Sequence, residues 1–91
     1  MNEIADKDLG YQQITSLSSA TALTIPTGCK RAIVTPETQA VRWRADGTNP
    51  TATVGYPLAV GAEVEFTLSN LTEIKFIEQT ASAKINVYYF G

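Results

Sequence analysis

Short runs in which apolar and polar residues alternate are the feature of this sequence that most constrains its fold. The clearest run begins at Val41, where Val41, Trp43 and Ala45 would share one face of a strand. Arg42 and Arg44 would point the opposite way. A period of two residues indicates a β-strand with one buried face, and the pattern recurs between turn residues spaced about 8–12 positions apart. Such spacing is typical of β-sandwiches and β-barrels.

The remaining strands follow from the same alternation, and no segment has the pattern of an amphipathic helix. The predicted strands cover residues 11–15, 22–25, 31–35, 41–45, 63–68, 73–78 and 84–90. Most connections between them are of hairpin length, which favours antiparallel pairing. We therefore predict an all-β fold, a single-domain antiparallel β-sandwich of jelly-roll-like type. A short, partly open β-barrel is the alternative.

Length and patterning together predict one folded domain with an extended lead-in. The chain has 91 residues, which corresponds to a single domain. Its first residues are polar and acidic, and Ile4 and Leu9 do not follow a strand period. We predict that residues 1–10 form an N-terminal arm, with Ile4 and Leu9 as its anchors on a partner, and that residues 11–91 form the sandwich. Because so short a chain buries a small core, a homo-oligomer is expected.

The composition argues against several classes of function. The sequence has no histidine and one cysteine, Cys29, so it lacks the usual neutral-pH base and the usual zinc ligands. We expect no enzymatic activity, no catalytic residue, no cofactor and no metal site. A net charge of −2 gives no reason to expect nucleic-acid binding. No apolar run is long enough for a membrane span, and the first residues lack the pattern of a signal peptide.

The strand from Val41 to Ala45 offers two interpretations for its arginines. Arg42 and Arg44 would bind phosphate or carboxylates of a partner, or they would form a solvated face that pairs with acids of neighbouring strands. We favour the second interpretation, in which the acids are Glu63, Glu65, Glu73 or Glu78. Trp43 is predicted to lie in the core, where its indole N–H would need a buried acceptor.

The last strand carries aromatic residues on both faces. Ile85, Val87 and Tyr89 share one face and are predicted to be buried, which leaves Tyr88 and Phe90 near the surface. Exposed aromatic residues at a strand end are typical of a subunit interface or of a platform on which sugars stack. We favour the interface, because a small core gains from association.

Several segments resemble small β-sandwich proteins encoded among the virion genes of tailed bacteriophages. They are residues 41–51 (VRWRADGTNPT) with 55–58 (GYPL), residues 74–77 (IKFI) and residues 81–89 (ASAKINVYY). The resemblance implies a non-enzymatic part of the phage particle. It implies either a capsid decoration (cement) protein or a head-fibre, neck or tail accessory, and it supplies no catalytic residues.

We therefore expect a virion protein, assembled in the host cytoplasm, that binds the major capsid protein or other virion subunits and stabilises the shell. The alternative is an accessory module that binds a glycan of the host surface, with a site formed by the 46–57 loop and the exposed aromatic residues of the last strand. The residues expected to contact a partner are Ile4, Leu9, Arg42, Arg44, Tyr56, Tyr88 and Phe90.

Overall fold

A computed structural model describes residues 7–67 and 69–91 of the chain. The described residues form eight strands, one short 3₁₀ turn at Leu71–Glu73 and no α-helix. None of the helical segments in this part of the chain is long and apolar enough to cross a membrane. The strands are β1 (Asp8–Ile14), β2 (Thr21–Ala22), β3 (Arg31–Glu37), β4 (Val41–Arg44), β5 (Tyr56–Leu58), β6 (Val64–Phe66), β7 (Lys75–Glu78) and β8 (Lys84–Phe90).

The strands form two four-stranded antiparallel sheets. One sheet, here called the terminal sheet, has the order β1-β8-β3-β6, and the other, here called the loop sheet, has the order β2-β7-β4-β5. In this arrangement β1 pairs with β8, β2 with β7, β3 with β6 and β4 with β5, and these four pairs alternate between the sheets. A long antiparallel ribbon rolled up in this way is a jelly roll.

The predicted fold class is therefore confirmed. The two sheets pack face to face and do not close into a barrel, so the barrel alternative is wrong. Their facing side chains form one core, in which the largest fully buried side chains include Phe76, Ile74 and Leu17. On β8, Ile85, Val87 and Tyr89 are buried as predicted. The buried apolar residues of the core are Ile14, Leu17, Leu23, Ala32, Val34, Val41, Leu58, Phe66, Leu71, Ile74, Phe76, Ala83, Ile85, Val87 and Tyr89.

The predicted arm differs from the structure at its C-terminal end. Strand β1 already begins at Asp8, and Lys7 and Gly91 exchange two backbone hydrogen bonds of 2.8 Å. Leu9 packs against the core of its own domain. The backbone ladder with β8 orders this segment although its apolar residues have no strand period, which is why the pattern did not reveal it. Ile4 lies outside the described residues.

Strand β3 runs two residues beyond the predicted 31–35 strand and includes Pro36. Strand β3 continues to Glu37, and Pro36 is fully buried opposite Ile85. The carbonyl of Pro36 accepts a hydrogen bond from the amide of Gly61, and the ring nitrogen of Pro36 points to the same side of the strand as this carbonyl. On that side the pairing with β6 ends at Val34. A missing N–H is tolerated there because no ladder bond is lost.

Other strands are shorter than their apolar patterns. The 22–25 pattern yields only a two-residue strand, and the 73–78 pattern yields a strand that starts at Lys75 after the 3₁₀ turn. Leu23 and Ile74 are nevertheless buried. The alternation therefore predicted which side chains enter the core better than it predicted where backbone pairing stops, because burial and pairing have separate causes.

Candidate binding surfaces

Two surfaces of the sandwich expose large aromatic side chains, and they lie on different sheets. The first, here called the aromatic face, is the outer side of the terminal sheet around Tyr11, Ile33, Tyr88 and Phe90. The second, here called the edge cleft, lies beside β5, the last strand of the loop sheet. The residues that line the edge cleft are Trp43, Arg44, Ala45, Asp46, Val54, Gly55 and Tyr56.

Strand register builds the aromatic face. Tyr11 of β1 lies opposite Tyr88 of β8, and Tyr88 in turn lies opposite Ile33 of β3. These side chains form a row across the sheet, with Tyr11 58 % and Tyr88 37 % exposed. Phe90 adds a second ring along β8, with its centroid 5.0 Å from that of Tyr88. The result is a shallow apolar surface on a continuous sheet.

Polar contacts hold the tyrosines of this face in place. The Tyr88 hydroxyl donates to Asp8 Oδ2 at 2.6 Å, and this hydrogen bond raises the pKa of Tyr88 above its ordinary value. The Tyr11 hydroxyl donates to Asn86 Oδ1. Asn86 also donates through Nδ2 to Glu37 Oε1 at 3.0 Å. The rings are therefore positioned by their outer ends and not by burial.

A cation borders the aromatic face at its β3 end. The guanidinium carbon of Arg31 lies 4.3 Å from the ring centroid of Phe90, which is a cation–π geometry. The same side chain reaches Glu65 on β6, with Nη1 3.1 Å from Oε2. Arg31 thus covers one side of Phe90 and joins two neighbouring strands.

The edge cleft is a shallow, open depression with a volume of about 490 Å³. Its aromatic wall is Tyr56, which is 67 % exposed and lies opposite Trp43 in the β4–β5 pair. The two rings are 5.4 Å apart between centroids and tilted by 36°. Trp43 is half-buried and meets Phe66 of the other sheet edge-on, with the centroids 4.8 Å apart. An exposed ring is therefore supported by a ring that is packed against the core.

An ion pair forms the polar end of the edge cleft. Arg44 donates through Nε to Asp46 Oδ1 at 3.1 Å and through Nη2 to Oδ2 at 2.6 Å, a bidentate contact. The Thr48 amide donates to Asp46 Oδ1 at 3.3 Å. The hydrogen bonds from Arg44 hold the pKa of Asp46 below its usual range, and the same contact raises the pKa of Arg44. The carboxylate therefore stays ionised and paired at the exposed end of the cleft.

The loop between β4 and β5 is held against its own sheet. Arg42 donates through Nη1 to the carbonyl of Gly55 at 2.7 Å. Gly55 has φ +142°, and a Cβ at this position would lie 3.1 Å from the Cβ atoms of both Arg42 and Pro50. Within the loop, Thr51 and Val54 exchange backbone hydrogen bonds. The wall of the cleft is thus preformed.

The structure corrects the predicted partners of the two arginines. Neither side chain pairs with Glu63, Glu65, Glu73 or Glu78, since Arg44 binds Asp46 and Arg42 binds a backbone carbonyl. Glu65 lies on the terminal sheet and binds Arg31 instead. Strand β7 is a neighbour of β4, but its register places Lys75 opposite Arg44 and Ile77 opposite Arg42, so no acid faces either arginine; alternation does not contain the register.

Trp43 is also less enclosed than predicted. It packs against the core but remains half-buried, because its neighbouring strand β5 is the last of the loop sheet. Its indole N–H is buried and has no hydrogen-bond partner among the described residues, although a buried acceptor was expected.

The glycan site predicted from the 46–57 loop and the last strand is not a single site. Tyr56 lies on the loop sheet, whereas Tyr88 and Phe90 lie on the outer side of the terminal sheet. These aromatic residues therefore belong to two separate surfaces. Sequence reasoning missed Tyr11 and Ile33, which only the register with β8 brings beside Tyr88, and it also missed Asn86, which shares the outer side of β8 with Tyr88.

In residues 7–67 and 69–91, no cluster of three or more His, Cys, Asp or Glu side chains is placed to hold a metal ion. Comparison with models of protein families, with curated proteins and with solved structures gives no match.

Proposed function

We propose that this protein is a non-enzymatic structural protein of a bacteriophage particle, a decoration protein that attaches to the outside of the capsid through its aromatic face. The observation that carries the proposal is a row of side chains across the outer side of the terminal sheet, in which Tyr11 and Tyr88 are exposed and Ile33 and the neighbouring Phe90 are partly exposed. The resemblance of residues 41–51, 55–58, 74–77 and 81–89 to small phage β-sandwich proteins supports the choice of the particle as partner.

The chemistry of the aromatic face suits a protein partner. Tyrosine and phenylalanine are enriched in protein interfaces because they bury large areas at a low entropy cost. The hydroxyls of Tyr11 and Tyr88 are already bound to Asn86 and Asp8, so little further ordering is needed on docking. A continuous four-stranded sheet matches a broad subunit surface better than it matches a small molecule.

Attachment of this kind would stabilise the shell by mass action. A protein that binds the closed shell and not its dissociated subunits adds its binding free energy to the closed state alone. Because a capsid repeats the same surface many times, a modest affinity at each position is enough. The second candidate is a location on a head fibre, neck or tail. The copy number in purified particles distinguishes the two, because a capsid shell has far more equivalent positions than a fibre, neck or tail.

The test uses particles assembled without this protein and adds the purified chain back. We expect cosedimentation of the wild-type protein with the particles and a loss of at least about tenfold in apparent affinity for Tyr88→Ser combined with Tyr11→Ser. The matched control is Tyr56→Ser, which removes an exposed tyrosine from the other sheet and should bind normally.

Two results would contradict the proposal. In the first, Tyr56→Ser loses as much affinity for the particles as the double variant does. In the second, the wild-type protein does not bind the particles. Sedimentation of the free protein separates a third possibility, namely self-association: a homo-oligomer dispersed by the double variant would assign the aromatic face to a second copy of this chain.

A further inference from the structure

We infer that the edge cleft is a binding site for a neutral sugar ring, with Tyr56 as the stacking surface and the Arg44–Asp46 pair as the group that recognises hydroxyls. This inference concerns the loop sheet and does not rest on the proposed attachment to a capsid. Three features of the cleft carry it: a supported exposed ring, a paired donor and acceptor at one end, and a wall that is already formed.

The first feature is the orientation of Tyr56. A tyrosine that is 67 % exposed would ordinarily turn freely, but here its ring rests against Trp43, which is itself fixed against Phe66. The face of an aromatic ring carries partial negative charge. The C–H groups on one side of a pyranose ring are weakly positive and apolar, so they stack on such a face. An aliphatic chain would leave the polar groups beside this ring without partners.

The second feature is the Arg44–Asp46 pair. Its bidentate contact leaves other guanidinium N–H groups and carboxylate lone pairs of these two residues pointing away from each other. A hydroxyl group donates one hydrogen bond and accepts others, so neighbouring hydroxyls of a sugar match a donor and an acceptor held side by side. Because the two charges cancel within the cleft, the site favours a neutral ligand over a phosphate or a carboxylate.

The third feature is that the cleft exists without a ligand. Its volume of about 490 Å³ lies within the range of small-molecule sites, about 300–1,000 Å³. The hydrogen bond from Arg42 to the Gly55 carbonyl and the closed turn from Thr51 to Val54 hold the far wall. Binding therefore does not require the loop to fold first, which removes an entropy cost.

The experiment uses the single tryptophan of the chain as the reporter, because Trp43 lines the cleft. The full-length protein is titrated with maltotriose, cellotriose and chitotriose, while Trp43 emission and backbone amide NMR shifts are followed. We expect a saturable response to at least one of these neutral trisaccharides, with the NMR shifts centred on residues 43–46 and 54–56. Tyr56→Ser should weaken that binding about tenfold or more, and Tyr56→Phe should retain it, because the ring face and not the hydroxyl does the stacking.

Val54→Arg provides a second variant that fills the cleft from the other side, in case Tyr56→Ser fails to fold; it should also abolish binding. Tyr88→Ser is the matched control and should bind sugar normally. The inference is overturned if none of the three sugars produces a saturable response, if Tyr88→Ser weakens binding as much as Tyr56→Ser, or if sialic acid or a proline-rich peptide binds the cleft in place of the neutral sugars. Loss of particle binding with intact sugar binding would contradict the capsid role alone.

Discussion

The aromatic face and the edge cleft both expose tyrosine rings, but they order those rings by different means. On the aromatic face, Tyr11 and Tyr88 are held at their hydroxyl ends by Asn86 and Asp8, and both rings stand outside the core. In the edge cleft, Tyr56 is held at its ring by Trp43, which reaches into the core. The first surface depends on polar contacts in water and on the contact between the exposed Tyr88 ring and Phe90, whereas the second depends on packing against a ring that contacts the core.

This difference has a direct consequence for function and for stability. Hydrogen bonds between exposed groups compete with water, so the aromatic face is stabilised weakly and leaves its ring faces available to a large partner. Packing against a side chain that contacts the core is harder to disrupt, so the edge cleft keeps its shape. A substitution in the core should therefore change the positions of the side chains in the edge cleft and leave those of the aromatic face nearly unchanged.

The largest effect is expected for Trp43→Ala. Removal of a half-buried indole that contacts Phe66 should lower the free energy of unfolding by about 3 kcal/mol, the lower end of the range for a large aromatic residue. Ile33→Ala, on the aromatic face, should cost about 1 kcal/mol, because its side chain stands on the outer side of the sheet. Urea unfolding measures both. Similar costs for the two variants would remove the distinction between a packed surface and an unpacked one.

Gly55→Ala should have the next largest effect. The new Cβ would lie 3.1 Å from two other carbon atoms at a φ of +142°. Gly10→Ala is the matched control in the terminal sheet, since Gly10 has φ +127° and nothing within 4 Å of a Cβ. Both variants strain the backbone, so this strain cancels in the comparison. Gly55→Ala should lower the free energy of unfolding by about 1–2 kcal/mol more than Gly10→Ala does, and this difference measures overpacking of the cleft wall. Equal costs in thermal unfolding would show that the wall is not packed as described.

Asn86→Ala tests the polar contacts of the aromatic face. It removes the acceptor of Tyr11 and the donor to Glu37, yet water can replace both, so the free energy of unfolding should fall by about 0.5–1 kcal/mol. The ring of Tyr11 should become more mobile in NMR relaxation, while the emission spectrum of Trp43 stays the same. A change in Trp43 emission would mean that the two surfaces are coupled through the sandwich.

The last effect is absent at neutral pH, because it is confined to alkaline pH, and it compares the two sides of one strand. Burial raises the pKa of Tyr89 to about 12, whereas an unfolded tyrosine ionises near 10. Because the folded state disfavours the ionised ring, this stabilisation is complete below pH about 10 and is lost as pH rises from about 10 to about 12. Stability measured against pH should show this fall, and Tyr89→Phe should reduce it.

Tyr88 supplies the comparison for that measurement. Its pKa is raised by the hydrogen bond to Asp8, so Asp8→Asn should lower the pKa in a titration followed by near-ultraviolet absorbance. The same substitution should leave the Tyr89 transition in place. If Asp8→Asn also removed the alkaline loss of stability, the burial of Tyr89 would not be its cause.

The fold class could be predicted from the sequence because it depends on a local pattern. Alternation at Lys84–Phe90 and around Phe76 indicated strands with one buried face, and the structure buries Ile85, Val87, Tyr89 and Phe76 accordingly. Side chains alternate between the two faces of any strand, whatever strand it pairs with, so a few consecutive residues are enough to show which face is apolar. The same rule places Tyr88 and Phe90 on the outer side of β8, where Tyr88 is exposed and Phe90 partly exposed, with their roles still predictions.

Strand pairing lay beyond such reasoning, because it joins residues far apart in the chain. Only the pairing of β1 with β8 places Tyr11 beside Tyr88, and only the position of β5 at the end of its sheet leaves Trp43 half-buried and Tyr56 exposed beside it. Sheet order also separates Tyr56 from Tyr88, which turned one predicted glycan site into two surfaces. The sequence by itself determined which faces of the strands are apolar, through the two-residue period of the backbone. The tertiary structure decided which faces meet, since a strand's neighbours are chosen by packing over the whole chain and not by its own residues.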